Sequence, residues 1–234
     1  MDKDASATLT DFSAWLGKVD LIDPVEPAEG RMYGGLTVAE RKAVRRQRLL
    51  DAGLELFAKG YSQATIEGIC ACAGVTARHF YEEFGSREEL LKAVFDRSVD
   101  TTILEIVEKV DGSTVRSDDL AGLIRQGMTA FVHAFLDDPR RARVVCIESV
   151  GVSIELEEHR RELIHRFSAL LQSESARLGD GGAVHREEFV LTTRALVGAT
   201  QELIVDWLLD PHPVSLDLLA RVMSDLYLAT INFN

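Results

Sequence analysis

Cysteine is scarce in this chain, with Cys70, Cys72 and Cys146 the only three in 234 residues. So small and odd a number excludes a disulfide framework and fits a reducing compartment, so the thiols read as small packing residues. Long apolar runs are also missing. No stretch approaches the roughly 20 apolar residues of a membrane-spanning helix, and the opening MDKDASATLT lacks a signal peptide's basic start and apolar middle. A cytoplasmic protein without a membrane partner is expected. Period-two alternation, the mark of half-buried strands, is absent, and so are a Gly-rich phosphate loop, a zinc-protease motif and a nucleophile elbow. Neither enzyme activity, cofactor nor metal site is therefore expected. Cys70 and Cys72 stand two apart, about 200° around a helix, and cannot readily share an ion. His159, Glu162 and His165 fall at helical spacing, but the crowded EEHRRELIHR segment reads as a solvated face.

What is present begins with charge. The net charge of -12 argues against indiscriminate coating of nucleic acid or anionic membrane, because the mean field repels polyanions. Its distribution is uneven. ERKAVRRQR, Glu40 to Arg48, sets five basic residues against one acid, whereas residues 98–234 carry 22 acids against 13 Lys and Arg. A local basic face on an acidic body suits a protein that touches DNA at one end only.

Residues 1–36 read as an acidic extension closed by the Pro- and Gly-punctuated DPVEPAEGRMYGG. Within it Phe12, Trp15, Leu16 and Val19 could form one short amphipathic helix. At Thr37 and Glu40 a capping box predicts a helix to about Lys59, with Leu49, Ala52, Gly53, Leu56 and Phe57 inward and Gly60 ending it. Thr65 then caps a short helix with Ile66, Ile69, Cys70 and Ala73 on its inner face. Gly74 and Val75 make a tight turn, and Thr76 caps a third helix, ARHFYEEF. Ser86 and Glu89 form a second capping box before a long helix to about Val110, long enough to lash the small domain to the body. Further helices are predicted near 118–137, 140–149, 155–178, 186–209 and 215–231. The fold class is all-α. A helix-turn-helix domain, 37–85, precedes a larger helical domain, 86–234.

The connected series LLDAGLELFAKGY, TIEGICACAGVT, HFYEEF and SREELL, without a gap, resembles the DNA-binding domain of the tetracycline-repressor (TetR) family. The likeness runs over residues 45–95; the helical remainder matches that family only in size and architecture. It implies a homodimeric transcriptional regulator, usually a repressor, released from a palindromic double-stranded operator by a small molecule. Carried over by position, it implies that Ala77, Arg78 and His79 face base edges, with Arg78 the main reader. Tyr81, Arg87 and Thr65 should meet phosphate, and Arg46 of the basic cluster is a further expected DNA-binding residue. Phe80 and Phe84 should pack inward. Three residues depart from the family pattern. Cys70 replaces a common alanine, and Glu82 and Glu83 place acids near phosphate, Glu83 where histidine is frequent, so both should tilt away.

In the body, the last two predicted helices are apolar on more than one face, implying burial within the subunit and against a second copy. Val190, Val197, Ile204, Leu208, Leu219, Val222, Met223 and Leu226 are the candidates for that interface. A ligand pocket follows from architecture rather than from a motif, with Met128, Phe131, Phe135, Ile147, Phe167, Leu171, Leu196 and Trp207 as apolar walls and His133 as a polar group. That bias suits a hydrophobic or amphipathic effector. The alternative is a regulator controlled by a protein partner through the apolar stripe of the extension.

Overall fold

The computed structural model describes residues 37–111, 119–178 and 186–232. The stripe of Phe12, Trp15, Leu16 and Val19 lies outside the described residues. Nine α-helices and no strand occur among those described, so the chain is all-α. They form two compact units, Met1–Asp100 and Thr101–Asn234, each taken by itself below. No described helix is long and apolar enough to cross a membrane.

The first unit contains α1 (Val38–Phe57), a 3₁₀ turn (Tyr61–Gln63), α2 (Ile66–Ala73), α3 (Ala77–Glu83) and the first half of α4 (Arg87–Asp111). Both halves of the capping box at Thr37 and Glu40 are made, which holds the Glu40 carboxyl below its usual range, chiefly through the hydrogen bond from the Thr37 backbone N–H. The predicted inner face of α1 is buried apart from Leu56, which is half-covered, and Leu50 joins it. Gly53 lies at a close approach to α4, since a Cβ there would lie 2.9 Å from Val94 Cγ2. Phe57, Ile69, Phe80, Leu90, Leu91, Val94 and Phe95 fill the core with at most 1% of their surface exposed. An Arg97–Asp51 ion pair at 2.7 Å joins α4 to α1 at the rim.

The second unit is built on α5 (Leu120–Leu136), α6 (Pro139–Arg143), α7 (Ile154–Leu178), α8 (Arg186–Leu209) and α9 (Leu216–Asn232). The main contacts are α5 on α9 and α7 on α8, with α6 and the turn after it against α8. The single helix expected at 140–149 is instead two pieces. Pro139 opens α6 behind the Asp138 cap, and Val144–Glu148 widens into a π turn. The wider turn lets three successive residues, Val144, Val145 and Cys146, all be buried. Trp207 Nε1–H donates to the Val214 carbonyl at 2.8 Å and closes the α8–α9 connection.

Burial corrects the interface expected on α8 and α9. Ile204, Leu219 and Met223 belong to the unit's own core, at 5% exposure or less, and have no surface to offer a second copy. Val190, Val197 and Leu208 are half-buried, whereas Val222 and Leu226 stand 47% and 39% exposed. Helices apolar on every side do not announce which stripe faces inward, and only packing separates them.

Candidate nucleic-acid interface

The helix-turn-helix is assembled by caps. Thr65 Oγ1 accepts from the Gly68 N–H at 3.0 Å and starts α2, and Thr76 Oγ1 accepts from the His79 N–H at 3.4 Å and starts α3. Between them Gly74 adopts φ 65°, ψ 37°, the left-handed conformation that lets the Val75 N–H return to the Cys70 carbonyl at 3.0 Å. After α3 the Ser86 hydroxyl accepts from the Glu89 N–H at 3.1 Å, while Glu89 reaches back to the Gly85 N–H at 2.7 Å. The reciprocal half of this second cap thus falls one residue before its expected place.

These caps fix the roll of α3. Phe80 and Phe84 are buried, as expected, which turns Ala77, Arg78, Tyr81 and Glu82 to solvent. His79 is half-buried, its Nδ1 3.1 Å from Thr76 Oγ1, and Thr65 is exposed at the α2 start. Arg78, the residue expected to read a base, donates from Nε to Glu82 Oε1 at 3.0 Å. Glu83 turns inward, with Oε1 enclosed and without a hydrogen-bond partner. The two acids expected to tilt away therefore behave differently: Glu83 does, and Glu82 stays exposed beside Arg78. An i, i+4 Arg–Glu spacing was visible in the sequence and is the signal that would have found the pair.

Two expected DNA-binding residues have a bracing role. Arg46 lies over the Phe84 ring at 4.5 Å and donates to the Glu83 carbonyl at 3.4 Å, joining α1 to the end of α3. Arg87 lies over the Tyr61 ring at 4.2 Å and donates to the Ala64 carbonyl at 2.6 Å, joining the start of α4 to the 3₁₀ turn. Such cation–ring contacts contribute about 0.5–1 kcal/mol each at exposed sites. The remaining basic residues of α1 include Lys42 and Arg48, both exposed.

Cys70 is buried and Cys72 exposed, so the two thiols point apart as their spacing requires. Burial pushes the Cys146 thiol up to about 12.

In the second unit, a groove of about 420 Å³ is lined by Lys109, Arg125, Gln126, Thr129, Ala130 and His133. Of the candidate ligand residues among those described, His133 alone is in its lining. Phe135 and Leu196 are buried, Met128, Phe131, Ile147 and Trp207 half-buried, and the side chains of Phe167 and Leu171 lie outside the described residues. Phe131 stacks on Phe135 with ring centroids 5.6 Å apart. His133 is held from both sides, Nδ1 3.2 Å from Asp137 and Nε2 3.1 Å from Asp217 of α9. Both ring nitrogens thus face carboxylate oxygens, an arrangement that favours the protonated ring. Its pKa is accordingly raised, first by the hydrogen bond with Asp217, against a lowering by burial. Lys109 Nζ lies 3.8 Å from the other oxygen of Asp137. The lining thus carries three basic side chains, Lys109, Arg125 and His133, with Asp137 and Asp217 set against the first and last of them. Lys109 and Arg125 carried no periodic signal that would have marked them beforehand.

Residues 49–94 match the family model described as bacterial regulatory proteins, tetR family. Over 59 residues the chain is 46% identical to the HTH-type transcriptional regulator SrpR of Pseudomonas putida, a match covering 25% of this chain and 27% of that regulator. The match thus spans about a quarter of the length of that relative. The fatty acid degradation regulator FadR of Bacillus halodurans superposes with a TM-score of 0.65 at 21% identity, covering 78% of this chain and 97% of that one. FadR of Bacillus subtilis, solved in complex with stearoyl-CoA, gives 0.62 at 19% identity, covering 77% and 96%. The two likenesses extend over both units and concern the fold.

Proposed function

We propose that this chain, whose residues 49–94 match the model for the tetR family of bacterial regulatory proteins, is a DNA-binding transcriptional regulator of that family, a repressor released by a small molecule. The observation that carries the reading is the orientation of α3. Buried Phe80 and Phe84 lock its back, so that Ala77, Arg78 and Tyr81 project together from a capped N-terminal end. A recognition helix meets base edges through its N-terminal residues. Arg78 has the fork that pairs with guanine O6 and N7, and the exposed Thr65, Tyr81, Lys42 and Arg48 are the proposed phosphate contacts.

The proposed active form is a homodimer, because two reading heads on one palindrome must sit about 34–36 Å apart. Exposed Val222 and Leu226 on α9 supply apolar surface for the contact. The proposed effector is a long-chain acyl thioester of the kind named for FadR of Bacillus subtilis. Lys109, Arg125 and His133 in the groove lining support an anionic head group over a neutral ligand. Binding there would bias the body toward a form whose heads no longer fit the operator, and operator DNA would weaken the effector by the same factor.

The test starts from selection of bound sequences out of a random DNA pool, followed by an anisotropy titration of the recovered operator. A palindrome with half-sites about one helical turn apart, released by micromolar stearoyl-CoA, is the expected result. Recovery of no consensus would refute the DNA reading; a consensus that stearoyl-CoA leaves bound would refute the effector alone.

A further inference from the structure

Arg78 and Glu82 form an ion pair on the face of α3 that is turned to solvent, their side chains 86% and 42% exposed. Neither can roll away from that face, since Phe80 and Phe84, buried at 0% and 3%, hold the helix from behind. Four residues of separation put Glu82 one turn along the helix from Arg78, on the same side. In isolation the pair is weak, worth about 0–1 kcal/mol at such exposure, so stability does not account for it.

The atoms involved are informative. Glu82 takes the Nε–H of Arg78, which leaves both Nη groups free. A guanine edge offers two acceptors, O6 and N7, and the Nη groups carry the donors to meet them. A guanidinium on a flexible stem has a competing choice, because phosphate accepts the same fork bidentately and is present in every DNA sequence. A carboxylate one turn from the arginine repels phosphate oxygens while holding the remaining N–H. Specificity is a difference of affinities, and an element that weakens the wrong contact raises it.

We propose that Glu82 is a positioning residue for base recognition: by holding Nε of Arg78 it aims the Nη fork at a guanine and keeps the guanidinium off the phosphates. The proposal rests on the DNA-binding reading above. It assigns to Glu82 a gain in selectivity at a cost in general affinity, so the two quantities should move in opposite directions on substitution.

The full-length protein is titrated against its selected operator, against versions with the Arg78-read base pair changed, and against random DNA at several salt concentrations. Glu82→Ala is expected to cut the preference at that one base pair about tenfold, within the range of a bidentate contact. Random DNA should meanwhile bind several-fold more tightly, because a negative charge near the polyanion is gone. Glu82→Gln, whose amide oxygen still accepts from Nε, should keep most of the base preference while sharing the gain in random binding. In an Arg78→Ala background, Glu82→Ala should change no base preference further, since its effect acts through the arginine. An unchanged preference in Glu82→Ala, or an equal loss that persists without Arg78, would overturn the proposal. Failure of the wild-type protein to select any sequence would instead remove the DNA reading and this inference with it.

Discussion

Gly74 is the residue on which the chain turns from α2 toward α3. Its φ of 65° is strained for any L side chain, yet an added Cβ would meet nothing within 4 Å, so substitution there tests backbone conformation alone. Gly74→Ala should lower unfolding free energy by about 1 kcal/mol, and Gly74→Asn by less, as read from urea midpoints. Loss of the cap by Thr76→Ala should cost a similar amount, about 1 kcal/mol, and fray the first turn of α3 that carries Ala77 and Arg78. The thiols divide just as sharply. Cys72 is exposed and should react with a maleimide in the native protein, while Cys146, buried and pushed up to about 12, should label only on unfolding. Equal native labelling of both in a peptide map would contradict this packing.

At the scale of elements, the first unit is held by crossings that its motif does not spell out. Arg87 ties the start of α4 to the 3₁₀ turn through a ring face and a carbonyl, a planar geometry that lysine cannot copy. Arg87→Lys should therefore destabilise the unit by about 1–2 kcal/mol despite conserving charge, combining a lost hydrogen bond with a lost ring contact. A thermal melt unchanged by that substitution would leave Arg87 as a phosphate ligand only. Between α5 and α9, His133 bridges two carboxylates and has a raised pKa. Such a group stabilises fully below its unfolded pKa, near 6.5, and the contribution is lost as pH rises through the higher folded value. The second unit should accordingly become less stable as pH climbs from about 6 past neutrality, and His133→Gln should flatten that dependence in pH-scanned denaturation.

For the whole molecule, the net charge of -12 against one basic cluster, Glu40 to Arg48, means that the proposed DNA contact must be local. Assembly on a palindrome requires two copies, and the exposed apolar side chains of α9 can be told from the buried ones by their response to charge. Val222→Glu combined with Leu226→Glu should shift the protein toward monomer in sedimentation while leaving its helical content intact. Met223→Glu, which buries an unpaired carboxylate, should instead unfold the second unit. If the exposed pair alters nothing in sedimentation, the second copy docks elsewhere.

Local signals determined a good deal of this protein. Thr37, Thr65, Thr76 and Ser86 start helices where their side chains satisfy orphan amides, and Gly74 turns the chain where only glycine does so without strain. These are short-range interactions within about four residues, so spacing alone contains them. The helix-turn-helix, the all-α class and the inward Phe80 and Phe84 were legible for that reason. Tertiary structure decided what depends on partners far along the chain. It turned Arg46 and Arg87 into braces, drew Ile204, Leu219 and Met223 into the core, and broke the helix after Pro139 into a π turn. It also brought Lys109, Arg125 and His133 to one groove. A side chain's period names the face it occupies; what that face meets is set by packing between elements, which no local pattern encodes.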